Sequence, residues 1–251
     1  MSDRARLDLP GGQTYNDSVI QAVILAGGRG ERLRPLTDNV PKPMVPVRGR
    51  PYLAHQLDEL KRQGIVDVVL LTGYLGEVIE EYFGDGTASG MRVRYSREPS
   101  PLGTGGALKL AEPLLAESFL LIYGDSYLPV RYAEAVERLR ATRAEALVVA
   151  LDNVPPVVDV PNNIALGADG FVARYEKGAG AAAGLTHVEA GVAALTRRLL
   201  RRIPAGRVTS LEQEFFPQLI AGHQLAAFAT KQRFYDIGTP SRLKEIETVL
   251  T

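Results

Sequence analysis

Between positions 21 and 47 the chain carries three glycines and two cations that could act on one anion: Gly27, Gly28 and Gly30, then Arg32 and Lys42. Glycine lets the main chain turn sharply and lets backbone N–H groups approach an anion or a flat base. Arg32 adds a planar fork and Lys42 a compact ammonium, a pair suited to sharing a triphosphate. Lys42 stands between Pro41 and Pro43, which predicts a stiff extended segment rather than a helix. A dinucleotide fingerprint needs Gly or Ala at position 33 and finds Leu33, and no G-x-x-x-x-G-K-[ST] occurs. Those spacings argue against a Rossmann dehydrogenase and a Walker NTPase. A glycine-rich βα turn followed by two solvated bases stays open at this point.

Other points of the chain could join that loop, because ligands of open α/β sheets gather beyond the carboxyl ends of the strands. Leu102-Gly103-Thr104-Gly105-Gly106 precedes an expected helix and could expose free N–H groups, or be only a tight turn. Asp125 follows the apolar run FLLIY through Gly124, and Asp236 sits in Tyr235-Asp236-Ile237-Gly238. Either aspartate alone could cap a turn. Two hard-oxygen ligands at strand ends are also what a Mg2+ shared with phosphates needs. Lys177, beside a glycine-alanine run over 178–184, reads from its residues as a solvated lysine at a hairpin tip. His55, His187 and His223 are not spaced as a ligand set; His55 is expected on a helix surface, and no zinc site is expected. Arg138, Arg140, Arg143, Arg197, Arg198, Arg201 and Arg202 read as solvated helix faces or subunit contacts.

Taken whole, 25–46 matches L-A-G-G-x-G-x-R-L-x-P-L-T-x-x-x-P-K-P-x-x-P without a gap. That stretch resembles the signature of the sugar-1-phosphate nucleotidylyltransferases. The short chain, with PLGTGGALKLAEPLL and FLLIYGDSYL, is most similar to the D-glycero-D-manno-heptose 1-phosphate guanylyltransferase-like branch. The resemblance implies transfer of a nucleotidyl group from an NTP, GTP first among them, to a heptose or hexose 1-phosphate, releasing pyrophosphate. UTP-, CTP- or dTTP-dependent enzymes, including those acting on amino sugars, and a non-catalytic sugar-nucleotide sensor are the alternatives.

It further implies nucleotide contacts from Leu25, Ala26, Gly27, Gly28, Gly30, Gly103, Thr104 and Gly124, with Gly103 and Thr104 at the base. Arg32, Lys42 and Lys177 take catalytic roles, Asp125 and Asp236 hold Mg2+, and Glu176 with Lys177 grips the sugar and its phosphate. The family's Asn-Ala-Gly is replaced by Glu189-Ala190-Gly191, so Glu189 and Gly191 take the sugar-contact positions with altered chemistry. A carboxylate accepts from hydroxyls but repels a nearby phosphate. Enzymes of this kind are often dimers or tetramers, so a homo-oligomer is consistent with the resemblance.

The elements that must position these residues follow from periodicity. Apolar runs over 22–26, 66–71, 119–123 and 146–151 read as buried strands, and 91–95 as a strand with one wet face. Amphipathic stretches over 51–64, 75–83, 107–115 and 131–142 read as helices between them. That alternation predicts a doubly wound, mainly parallel, Rossmann-like α/β sheet as the nucleotide-binding lobe over 19–152. After 153 the strand-like runs 164–166, 171–175 and 187–195 predict a smaller mixed or antiparallel sugar-binding lobe. It is followed by helices over 197–203, 210–220 and 241–250, with short strands over 225–229 and 233–236. Both lobes belong to one domain, 19–251, preceded by a flexible or docking arm over 1–18.

Length and charge set the outer bounds. At 251 residues the chain can bury a core without staples, and Lys plus Arg equals Asp plus Glu, 29 against 29, so overall charge signals no nucleic acid. No cysteine is present, the first residues lack the apolar core of a signal peptide, and the longest apolar runs are strand length. No membrane partner and a cytoplasmic location are therefore expected.

Overall fold

The protein is represented by a computed structural model that describes residues 19–176 and 184–250. The arm expected over 1–18, Lys177 and positions 178–183 of the glycine-alanine run lie outside the described residues.

The run QAVILA shows no polar alternation because both of its faces are covered. It forms β1 (Gln21–Ala26), parallel to β4 (Asp67–Thr72) on one side and to β6 (Ser118–Tyr123) on the other. Between β1 and β4 lie a small hairpin of β2 (Pro46–Val47) and β3 (Arg50–Pro51) and the helix α1 (Tyr52–Arg62). Then α2 (Gly76–Phe83) leads to β5 (Arg92–Arg97), which pairs parallel with β4. α3 (Gly103–Ala111) precedes β6, after which β7 (Ser126–Tyr127) and α4 (Tyr132–Thr142) lead to β8 (Ala146–Asp152). Helices cover both faces. Leu53, Leu57 and Leu60 of α1 pack with Val136 and Leu139 of α4 on one, Ala107, Leu108 and Ala111 of α3 on the other. This is the doubly wound α/β arrangement that alternating strand and helix patterns imply.

After residue 153 the sheet becomes mixed: four further strands join it in both directions, making nine. β9 (Ile164–Leu166) and β10 (Val172–Tyr175) form an antiparallel pair, and the ten-residue β11 (His187–Thr196) runs antiparallel to both β6 and β8. β12 (Leu225–Thr230) adds a parallel edge to β8. β11 is irregular between Glu189 and Ala193, and Gly191 there has φ +73° with the Ser126 side chain 2.5 Å from where a Cβ would stand. Only glycine fits such a bulge against a neighbouring strand. A π-helical turn, Leu211–Phe215, runs into α5 (Phe216–Ala221), and β13 (Tyr235–Asp236) pairs antiparallel with β7 ahead of α6 (Pro240–Ile246).

Four local expectations are corrected. Lys42 starts a one-turn 3-10 helix, Lys42–Met44, capped by the extended Pro41, because a proline inside the first turn loses no hydrogen bond. α3 begins at Gly103 rather than 107, so the glycine-rich segment is the helix's own first turn. The helix expected over 197–203 is a 3-10 segment, Arg197–Arg202. Finally, His55 is 8% exposed, with its Nε2 3.0 Å from the Val47 carbonyl oxygen, because residues 52–57 of α1 are all buried, Val47 of the hairpin among their neighbours. Of the basic clusters, Arg202 forks onto the buried Glu145 at 2.7 and 2.9 Å, with Arg198 3.5 Å away; these arginines neutralise an interior carboxylate.

Candidate active site

A cavity of about 610 Å3 opens beyond the carboxyl ends of β1, β4 and β6. Of the residues singled out from the sequence, the loop positions Leu25, Ala26, Gly27, Gly28, Gly30 and Arg32 border it. So do Lys42, Gly103, Thr104, Gly124 and Asp125. Segments more than eighty positions apart thus meet around one space. Glu176, Glu189, Gly191 and Asp236 are not among its lining residues.

One end of the cavity is built by cations and a carboxylate. The Lys42 ammonium donates to Asp125 Oδ2 at 2.6 Å, and the lysine side chain is only 12% exposed. Its stem is held by the loop: Gly30 is left-handed at φ +65°, and a Cβ there would lie 2.9 Å from Lys42 Cβ. Thr37 closes the same turn by donating its hydroxyl to the Gly30 carbonyl at 2.9 Å. Gly28, by contrast, has no atom within 4 Å of an added Cβ and leaves its side of the loop open. Arg32 reaches the same end, its Nη2 3.0 Å from the point a Gly238 Cβ would occupy.

Asp236 adjoins this end through the backbone. It sits opposite Ser126 in the β7–β13 ladder, and the Ile237 N–H donates to the Asp125 carbonyl at 3.0 Å. Its carboxylate accepts from the Gly238 N–H at 2.7 Å and from Arg242 at 2.8 Å, and it borders a second cavity of about 320 Å3. Two carboxylates from adjoining segments are a hard-oxygen donor set of the kind a divalent cation takes, each now neutralised by a protein cation. Among the described residues no group of three or more His, Asp or Glu could hold a metal, so phosphate oxygens would have to complete the shell.

The cavity is also lined by an acid that motif reading passes over. Glu98, directly after β5, accepts from the Leu102 N–H at 2.9 Å, and its Oε1 is 2.7 and 2.8 Å from where a Cβ on Gly27 or Gly73 would stand. Burial raises its carboxyl pKa above the ordinary value, opposed by the Leu102 hydrogen bond. The available signal was an acidic residue at a strand end just before the second glycine segment, in Arg97-Glu98-Pro99.

Behind the wall lies a second group, built on a glutamate that the sequence does not single out. Glu212, 1% exposed, accepts from Thr104 Oγ1 at 2.8 Å, from Ser210 Oγ at 2.7 Å and from the Tyr123 hydroxyl. The Tyr123 hydroxyl is also 3.1 Å from Glu189 Oε1, and Glu189 accepts from Tyr175 at 2.5 Å. Burial first, then the two glutamates, pushes both phenols far above their usual range, so they stay protonated. Thr104 therefore borders the cavity with its hydroxyl turned inward, where it also accepts from the Leu211 N–H at 2.8 Å. Glu176 is paired with Arg174 at 2.8 Å, next to Tyr175.

Comparison with known proteins shows the family to which the chain belongs. The family model described as nucleotidyl transferase matches residues 21–251. The mannose-1-phosphate guanylyltransferase of Mycobacterium tuberculosis is 35% identical over 230 residues, covering 88% of this chain and 62% of that protein. The mannose-1-phosphate guanyltransferase of Yarrowia lipolytica is 34% identical over 228 residues, covering 88% and 61%. The chain thus spans about three fifths of the length of these relatives. Among solved structures, HddC from Yersinia pseudotuberculosis complexed with GMP-PN superposes with a TM-score of 0.76 at 27% identity, covering 93% of this chain and all of that one.

Proposed function

Because the chain belongs to the nucleotidyl transferase family, we propose that its larger cavity transfers a guanylyl group from GTP to a sugar 1-phosphate, giving a GDP-sugar and pyrophosphate. One observation carries the reading: a single cavity is lined by Arg32, Lys42 and Asp125 and also by Glu98, whose carboxyl lies against Gly27. Guanine offers two adjacent donors on its pairing edge, N1–H and N2–H, which a carboxylate accepts together; uracil offers one donor between two carbonyls that a carboxylate repels. Mannose 1-phosphate is the first acceptor to try, since both curated relatives above bear that name, with heptose and glucose 1-phosphates beside it.

The acceptor phosphate is ionised at neutral pH, so no enzyme base is needed. Its oxygen forms a bond to the α-phosphorus as the bond from that phosphorus to the bridging β-oxygen breaks, and pyrophosphate carries the electron pair away. Lys42, now held by Asp125, is placed to exchange that partner for phosphate oxygens, and Arg32 adds a second positive charge as the leaving group develops. Open backbone at Gly28 lets the phosphates lie against the loop. Asp125 and Asp236 would hold a divalent cation such as Mg2+, which supplies neutralisation between phosphate groups when bound. From the resemblance, Glu176, Lys177, Glu189 and Gly191 serve the acceptor.

The test is a panel of GTP, ATP, UTP, CTP and dTTP against several sugar 1-phosphates, read by pyrophosphate release. GTP with mannose or heptose 1-phosphate is expected to dominate. Turnover with UTP or dTTP alone would reject the base assignment, and binding of both ligands without release would make the chain a sugar-nucleotide sensor. Nucleoside triphosphates and sugar phosphates are metabolites of the cytoplasm, which is the location proposed. No helix among the described residues is long and apolar enough to cross a membrane. Self-association into a dimer or tetramer is open to light scattering.

A further inference from the structure

The buried chain behind the cavity wall has a property that simple packing does not require. Tyr123 carries one hydroxyl proton and lies within reach of two carboxylates, Glu189 on β11 and Glu212 on the π-helical turn. It can donate to one of them at a time. The arrangement therefore has two states, and neither leaves a carboxylate stranded: Glu212 keeps its bonds from Thr104 and Ser210, and Glu189 keeps the bond from Tyr175. Thr104 and Tyr123 both border the nucleotide cavity, whereas Tyr175 directly precedes Glu176. A π-helical turn is an uncommon device that recurs at functional sites, and here it buries Leu211 and Glu212 in succession, aiming the second at the wall.

We propose that the hydrogen-bonded series Thr104, Glu212, Tyr123, Glu189 and Tyr175 couples occupancy of the nucleotide cavity to occupancy of the acceptor side. The inference rests on the guanylyltransferase reading for the identity of its two ligands. Glu212 and Tyr123 are positioning residues in it, acting through Thr104 and Glu189 and not on the reacting atoms. A ligand that presses on Thr104 or on the Tyr123 ring favours one direction of the hydroxyl, and that choice sets how Glu189 and Tyr175 are held. A bistable element biased from both sides is what thermodynamic coupling between two sites needs.

The experiment is calorimetric titration of the full chain with α,β-methylene-GTP and with the sugar 1-phosphate that the panel selects, each alone and with the other saturating, in magnesium buffer. Each ligand is expected to bind about 5- to 50-fold tighter in the presence of the other, and by the same factor in both directions. Tyr123→Phe keeps the ring and removes the hydroxyl; Thr104→Val keeps the shape and cuts the series at its other end. Both are expected to bring the factor below about twofold, the lower edge of measurable coupling. The factor is internal to each variant, so altered affinity for a single ligand does not enter it. A factor of one in the unmodified chain, or an undiminished factor in Tyr123→Phe, overturns the inference while leaving the activity intact. A panel without pyrophosphate release overturns the activity first and this inference with it.

Discussion

Two glycine-rich turns meet at the same cavity, Gly27 to Gly30 after β1 and, through Gly103 and Thr104, the segment Gly103 to Gly106 at the start of α3. In the first, Gly28 faces open space, and Gly30 lets the chain turn back so that the stem of Lys42 packs against it. In the second the empty positions are filled by the protein itself. A Cβ on Gly103 would lie 2.4 Å from the Thr209 carbonyl oxygen, and one on Gly106 2.6 Å from that of Arg207. The Gly105 N–H donates to the Thr209 carbonyl at 3.0 Å, so the segment ahead of Glu212 is seated directly on the helix's first turn. Gly28 in the first turn leaves its position open; Gly103 and Gly106 in the second admit the backbone of the segment 207–209. A run of glycines does not distinguish these, although their responses to mutation differ.

The largest effect is expected where the first turn meets charge. Lys42→Ala or Asp125→Asn should lower kcat/KM by roughly 10^2 or more, about 2.7 kcal/mol of transition-state stabilisation, with little change in melting temperature. Near-normal pyrophosphate release from either variant would remove the catalytic meaning of that turn. Next, the two turns can be set against each other directly. Gly106→Ala should destabilise the fold by about 1–3 kcal/mol in denaturant titration, because the new methyl meets backbone that cannot move away. Gly28→Ala should leave stability within about 0.5 kcal/mol and instead raise the KM for the nucleotide. The reverse result, a destabilised Gly28 variant and a tolerant Gly106 variant, would break the comparison.

A smaller effect belongs to the acid that touches the first turn. Glu98→Gln replaces one acceptor oxygen with a donor and should reduce the preference for GTP over UTP by about tenfold, read as a ratio of kcat/KM values. Smallest is a proton balance. Burial raises the Glu98 carboxyl pKa above its ordinary value, and donors from guanine would favour its charged form. GTP binding should therefore release protons toward the acid side of neutrality. Calorimetry in buffers of different ionisation enthalpy measures that release, and it should vanish in Glu98→Gln; uptake instead of release would mean the base does not meet this carboxyl.

The strands and the loop were legible because their signals are local. An apolar run without alternation needs cover on both faces, and β1 with its neighbours β4 and β6 received it. Asp125 and Lys42 were legible as chemistry from residue type and motif, and their meeting at 2.6 Å follows from strand ends converging on one edge of the sheet. His55 was misplaced because helical periodicity reports one buried face and knows nothing of a hairpin that covers the other. Glu98 and Glu212 were passed over for a related reason. A lone glutamate in sequence resembles any solvated charge, and what sets these two apart is the burial and the partners that distant segments bring.

The amino-acid order by itself determined which segments are apolar enough to form the central strands, where the chain must turn, and which loops hold cations and carboxylates, since each depends on residues within a few positions of one another. Tertiary structure alone decided that Asp236 is held by Arg242, that Glu98 lies over the first glycine turn, and that one tyrosine hydroxyl serves two glutamates. Those are contacts between side chains whose spacing along the chain carries no periodic signal; they exist only after the sheet has brought its strand ends together.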